Sequence, residues 1–213
     1  MNPLSVSHQV TRLIFDVGQP YEKFRARYEA AVPALDPQSL GEHAGRHVGW
    51  HDAGLGVGEP DPLGFVIYWR GHLTPLMAAG GELRPCTAYL MGLPAISEKV
   101  YRQDPAVMLH MPLRTLIYID GDDHTQFAVD QPSTVLAGFA DPAIADLGLD
   151  MDRKLAELLD ALGVEASPVL ATTKFRSVAG HGRALMLRQV QLPAARAGLL
   201  VQPDQDPNLE SLT

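Results

Sequence analysis

Polar and apolar residues alternate twice in close succession toward the middle of the chain. Leu113, Thr115, Ile117 and Ile119 fall on one side of a run, with Arg114, Leu116, Tyr118 and Asp120 on the other. After Gly121-Asp122-Asp123 the alternation resumes with Thr125, Phe127 and Val129. Two period-two runs around a Gly/Asp break predict a β-hairpin, with neighbouring strands over 113–120 and 125–130. A third alternation covers 8–17. There Thr11, Leu13, Phe15 and Val17 face one way and Val10, Arg12, Ile14 and Asp16 the other, the pattern of a half-buried strand. Two shorter runs, 65–69 and 84–91, are aromatic, β-branched and apolar, and the second closes on Gly92-Leu93-Pro94; both predict strands.

Helical spacing appears in two main places. Pro20 suits a first helical turn, and Tyr21, Phe24, Tyr28 and Ala31 follow at i, i+3, i+7 and i+10, which predicts a helix over 20–32. Met151, Leu155, Leu158, Leu159 and Leu162 mark a second helix over 150–162, with Gly163 at its C-cap. Its Asp152, Arg153, Lys154, Glu157 and Asp160 read as the solvated face. Shorter helical pieces are expected over 73–80, 95–103 and 132–139, and Asp141-Pro142 has the form of an N-cap followed by proline at the first position. The fold class expected is α+β: an antiparallel or mixed sheet of about five strands with helices packed on it.

These elements carry a resemblance. Gly92 and Pro94 close a strand, a short helix follows, Pro112-Leu113-Arg114 opens the hairpin, Ile119-Asp120-Gly121 turns it, and Val129-Asp130-Gln131-Pro132 ends it. This arrangement resembles the bacterial and archaeal DUF302 family, a domain of unknown function. Leu93 departs from the family's usual turn, which resembles Gly-Asn-Pro, and His110 departs from its usual acidic or apolar residue. The resemblance covers 65–163, is weaker over the N-terminus and is absent after Val164. It implies an α+β fold and a homodimer, and no established reaction. The organisation expected is a domain over 1–164, interrupted by a Pro/Gly/His-rich insertion at 35–62, and an extension over 165–213.

Composition narrows the classes. Hydrophobic residues make up 46% and charged residues 20%, which fits a soluble globular chain able to bury a core. The net charge of −8 argues against a nucleic-acid partner. No basic cap precedes an apolar run at the N-terminus and no 18-residue apolar stretch occurs, so the expectation is a cytoplasmic protein with no membrane partner. The lone Cys86 excludes an intrachain disulfide and reads as a buried structural thiol. Charge is distributed unevenly: residues 1–165 carry −10, 166–203 carry +5 and the last ten −3. The basic stretch has strand-like runs around Ala179-Gly180-His181-Gly182. The expectation is that it packs across the subunit boundary of a two-fold homodimer.

Three functional readings follow. In the first the chain is a homodimeric small-ligand-binding or interaction module. The segment Val107-Met108-Leu109-His110-Met111 has the make-up of a core segment first and of a cavity wall second. Met108, His110, Arg114 and Tyr118 would then meet the ligand. In the second it is an enzyme with His110 or His72 as base near Asp130 or Tyr118. Asp130 also fits a cap on the turn beginning at Pro132, and Asp120, Asp122 and Asp123 fit turn chemistry at the hairpin tip. In the third, His43, His47 and His51 hold zinc. Their four-residue spacing would align three imidazoles on a helix, with Glu42 or Asp52 as fourth ligand. Gly41, Gly45 and Gly49 share that period and weaken such a helix. No cofactor is required by any motif in the chain.

Overall fold

The computed structural model describes residues 5–35 and 63–170. The His43/His47/His51 set and the strand-like runs of the basic extension lie outside the described residues. The five expected strands all form: β1 (Arg12–Asp16), β2 (Val66–His72), β3 (Cys86–Gly92), β4 (Leu113–Ile119) and β5 (Thr125–Asp130). They make one sheet in the order β1-β5-β4-β3-β2, and every neighbouring pair is antiparallel. The helices are α1 (Tyr21–Ala31), α2 (Thr74–Met77), α3 (Pro94–Gln103), α4 (Pro132–Leu136), α5 (Pro142–Ala161) and α6 (Ser167–Leu170). Two short 3-10 turns, Ala78–Gly80 and Pro105–Leu109, follow α2 and α3.

The hairpin forms as the alternation predicts. Asp120 Oδ1 accepts from the backbone N–H groups of Asp122 and His124 at 2.9 and 3.0 Å, and Asp123 takes the left-handed conformation at φ 63°. The Asp cluster at the tip is therefore turn chemistry. Strand β1 starts only at Arg12, because Thr11 N–H is drawn to Thr134 Oγ1 and the residues before it pair with no strand. Strand β2 runs on to His72 past an irregularity between Ile67 and Trp69, which changes the face its later residues present.

One face of the sheet carries the core. Phe15, Tyr89, Met91, Leu113, Ile117 and Phe127 join Phe24 and Tyr28 of α1, Ile96 and Val100 of α3, and Met151, Leu155, Leu158 and Leu159 of α5 in a single cluster. Val107 and Met111 enter it too, whereas Met108 and Leu109 of the same segment are exposed. Core packing and surface thus share the Met-rich stretch.

Helix α5 begins at Pro142, well before the periodic leucines. Asp141 caps it by accepting from Ala143 N–H at 2.8 Å. Gly148 permits this helix to lie against α4: a Cβ there would come within 2.9 Å of Ser133 Cα and 3.3 Å of Leu136 Cβ. Two expectations are corrected here. Asp152 does not belong to the solvated face. It is fully buried and accepts from Gln131 Nε2 at 2.7 Å, Ser133 N–H at 3.0 Å and Ser133 Oγ at 2.5 Å. It caps α4 from a neighbouring helix, and the donors around it offset part of the cost of burying it. Asp130, in turn, does not cap that helix: it accepts from Arg12 Nε and Nη2 across the β1–β5 pair.

Candidate ligand cleft

Helix α1 sets polar side chains onto the sheet because its tyrosines recur on the buried face. Tyr21 OH lies 2.6 Å from Thr87 Oγ1. One helical stretch further on, Tyr28 OH donates to Met91 Sδ at 2.8 Å and lies 3.2 Å from Thr115 Oγ1. Burial pushes both phenols upward, so they stay protonated. These hydroxyls satisfy threonines that the inward alternation buries; they serve packing, not a ligand.

At the C-terminal end of α1 the pattern changes. Glu29 Oε1 accepts from Arg25 Nη1 at 3.2 Å and from Tyr89 OH at 2.9 Å, and Glu29 Oε2 accepts from Arg70 Nη1 at 2.6 Å. Burial, and then the carboxylate it bonds, raise the Tyr89 hydroxyl well above the ordinary tyrosine range, so it remains a donor. One carboxylate thereby fixes two guanidinium groups and a phenol. Among the described residues, the other N–H groups of Arg70 have no partner, and Arg70 is half-exposed.

Beside this cluster, between α1 and the β2 edge of the sheet, is a half-open cleft of about 310 Å³. Val32, Ala34, Leu35 and Ile67 stand in its wall, Tyr68 and Trp69 add aromatic groups, Glu29 and Arg70 supply its charge, and the surface it exposes is more polar than apolar. Ala34 bridges Ile67 in parallel, with Leu35 N–H donating to Ile67 O at 2.8 Å, which holds the chain after α1 against the β2 edge. Burial pushes the Tyr68 phenol up to about 12, so it presents a neutral hydroxyl.

The residues singled out by sequence are scattered relative to this cleft. His72 is exposed at the end of β2, and its Nδ1 lies 3.1 Å from Thr87 Oγ1. Arg114 and Tyr118 share the sheet face opposite the helices, Arg114 exposed and Tyr118 half-buried. Asp130 is on that same face, tied to Arg12. His110 sits in the turn before β4, its ring 6.2 Å from that of His8 and 6.1 Å from that of Phe139. Burial, and secondarily His8, lower its pKa, so it is neutral at pH 7. The structure therefore brings Arg114, Tyr118 and Asp130 to one face and separates them from His72, His110 and Met108. No group of three or more His, Cys, Asp or Glu side chains suited to a metal occurs among the described residues. Cys86 is half-buried, and burial raises its thiol, which keeps it a poor nucleophile. Among the described residues no helix is long and apolar enough to cross a membrane.

No sequence pattern singled out Glu29 and Tyr89 as companions of Arg70. The signal for Glu29 is its place: it follows the buried Tyr28 by one position, at the border of the apolar stripe, where a carboxylate is half-screened and seeks cations.

Residues 63–162 match the family model described as domain of unknown function DUF302. No curated protein matches the chain. Among solved structures, the chain is similar to an uncharacterized conserved DUF302 protein from Bacillus stearothermophilus at 16% identity, covering 71% of this chain and 95% of that one, with a TM-score of 0.48.

Proposed function

We propose, taking as premise that the chain belongs to the DUF302 family through its residues 63–162, that it is a homodimeric module that binds a small molecule in the cleft beside α1. The observation that carries this reading is the pairing of a half-open cleft of about 310 Å³, with aromatic and aliphatic residues in its wall, and a guanidinium whose position is fixed by Glu29 and whose other donors face no protein partner among the described residues. Small-ligand sites combine an apolar body with a few placed polar groups, and this volume is at the small end of their range. The ligand chemistry that fits is a compact aromatic or aliphatic body with one anionic group. The carboxylate of Glu29 is already occupied by three donors, so a ligand cation has little to gain there, whereas Arg70 has donors to offer.

The test is a fluorescence titration with 8-anilinonaphthalene-1-sulfonate, a probe of apolar body and single anion. The expected result is saturable binding that weakens about tenfold in Arg70→Ala, the loss of one charge-assisted contact, and is unchanged in Arg102→Ala on the exposed side of α3. Equal binding by the wild type and Arg70→Ala would refute the assignment of the site.

A further inference from the structure

On the sheet face opposite α1, α3 and α5, Ile14, Ala88, Leu90, Leu116 and Ala128 lie outside the core cluster; Ala88 and Ala128 are themselves buried, Leu90 and Leu116 half-buried and Ile14 exposed. The strand register sorts this face into three ladders that run across the strands. The first holds Arg12, Asp130, Arg114, Leu90 and Trp69; the second Ile14, Ala128, Leu116, Ala88 and Gly71; the third Asp16, Gln126, Tyr118 and Cys86. The middle ladder is apolar throughout. At its end the Trp69 indole lies across Gly71, where a Cβ would come within 2.2 Å of the ring, so the absence of a side chain there lets the indole extend the apolar band. Ile14 is 56% and Trp69 49% exposed. An apolar centre with a polar and charged margin is the anatomy of an interface.

We propose that this face is the homodimer interface, with two copies packed sheet on sheet about a two-fold axis that runs along the middle ladder. The proposal rests on the homodimer reading above and names its surface. The axis follows from charge. Rotation about the middle ladder lays the first ladder of one copy over the third ladder of the other. Arg12 then faces the partner's Asp16, Asp130 faces the partner's Gln126, and Leu90 faces the partner's Cys86. Arg114, which makes no ion pair among the described residues, faces the ring of the partner's Tyr118, a cation–π arrangement. A two-fold axis along the strands, through the central β4, would instead set Arg114 against the partner's Arg114, and like charges across a buried face are disfavoured. Aligned sheets cross at about 30°, so the pairs on the central strands β4 and β5 keep this registry best. The extent is adequate. Five strands about 4.8 Å apart and five residues long cover roughly 400 Å² in plan. Side-chain relief and rim bring the accessible area toward the ~800 Å² per partner of stable complexes.

Sedimentation velocity on the full chain at micromolar concentration tests this with three variants. Ile14→Lys changes an exposed side chain outside the core, so the folded monomer should keep a cooperative melt. It also sets lysine against the partner's lysine at the interface. The expected result is a wild-type dimer and an Ile14→Lys monomer, with association weakened by about 100-fold or more. Leu116→Lys is expected to do the same; if it fails to fold, Ile14→Lys decides alone. Arg114→Ala distinguishes the axes, weakening the dimer here and strengthening it if arginines face each other. An Ile14→Lys protein that remains dimeric would overturn the interface and leave the homodimer reading standing. A wild type that is monomeric would overturn both. An Ile14→Lys protein of unchanged mass whose residues 171–213 become more sensitive to protease would show that the chain's own C-terminal segment covers the face, and would overturn the proposal.

Discussion

Replacing Asp152 with alanine removes the acceptor on which three buried donors converge, and the cost follows from what those donors then lack. The side chains of Gln131 and Ser133 can turn toward other partners. The backbone N–H of Ser133 cannot, because it is fixed in the first turn of α4 directly after Pro132. Ser133 is 1% exposed, so water does not substitute. An unsatisfied buried donor costs about 1–3 kcal/mol. One fixed N–H plus partial losses at two side chains gives ~3–5 kcal/mol on that scale. Relief of the desolvated carboxylate offsets part of this. The expected net destabilisation is ~2–4 kcal/mol, a lowering of the melting temperature by roughly 5–15 °C for a domain of this size. The pH dependence has a definite sign. Burial raises the Asp152 carboxyl, against the opposing pull of its donors. The folded protein therefore keeps the proton where the unfolded chain has lost it. Stability from this group is full below the unfolded value of about 3.9 and declines as pH rises through the folded value. The wild-type advantage over Asp152→Ala should narrow as pH is raised from about 4 toward neutrality. Urea denaturation of both proteins across that range measures it. A difference below about 0.5 kcal/mol at pH 7, within the range of ordinary surface changes, would refute the reasoning, and so would a gap that widens with pH.

Three further outcomes are expected. Gly148→Ala should destabilise by about 1–3 kcal/mol, because the methyl group meets the Ser133 backbone at 2.9 Å and either helix must shift; an unchanged melt would mean α4 and α5 do not touch there. Tyr28→Phe removes the hydroxyl shared with Met91 and Thr115 and should cost about 1–2 kcal/mol in urea denaturation, the fold being retained. Leu158→Asp places a charge at a fully buried position and should cost ~3 kcal/mol or more, to the point of lost cooperativity in the thermal melt.

The sheet was legible because period-two alternation is a direct image of its two faces. Leu113, Thr115, Ile117 and Ile119 point inward along β4, while Arg114 does not. The helix face was legible for the same reason at Met151, Leu155 and Leu158. Asp152 breaks this correspondence. It lies three residues before Leu155 and four before Ala156, within the buried stripe, and only its charge argued for solvent. The donors that make its burial tolerable come from Gln131 and Ser133, about 20 residues earlier in sequence. Asp130 was misread in the complementary way: proximity to Pro132 suggested a cap, but antiparallel pairing brings Arg12 from the far end of the domain. The cleft was the least legible feature. Glu29, Arg70 and Tyr89 come from three elements, and no local pattern joins them. The Met-rich stretch that drew attention as a ligand wall divides by ordinary burial instead, with Val107 and Met111 inside and Met108 outside.

Native mass spectrometry of the full chain, purified without a tag, tests the central claim most directly, because assembly and retained ligand are read from one spectrum. The account predicts a species of twice the chain mass carrying a small anionic molecule, with that added mass absent from Arg70→Ala while the dimer persists. A bare monomer would contradict it, as would an added mass that Arg70→Ala retains in full.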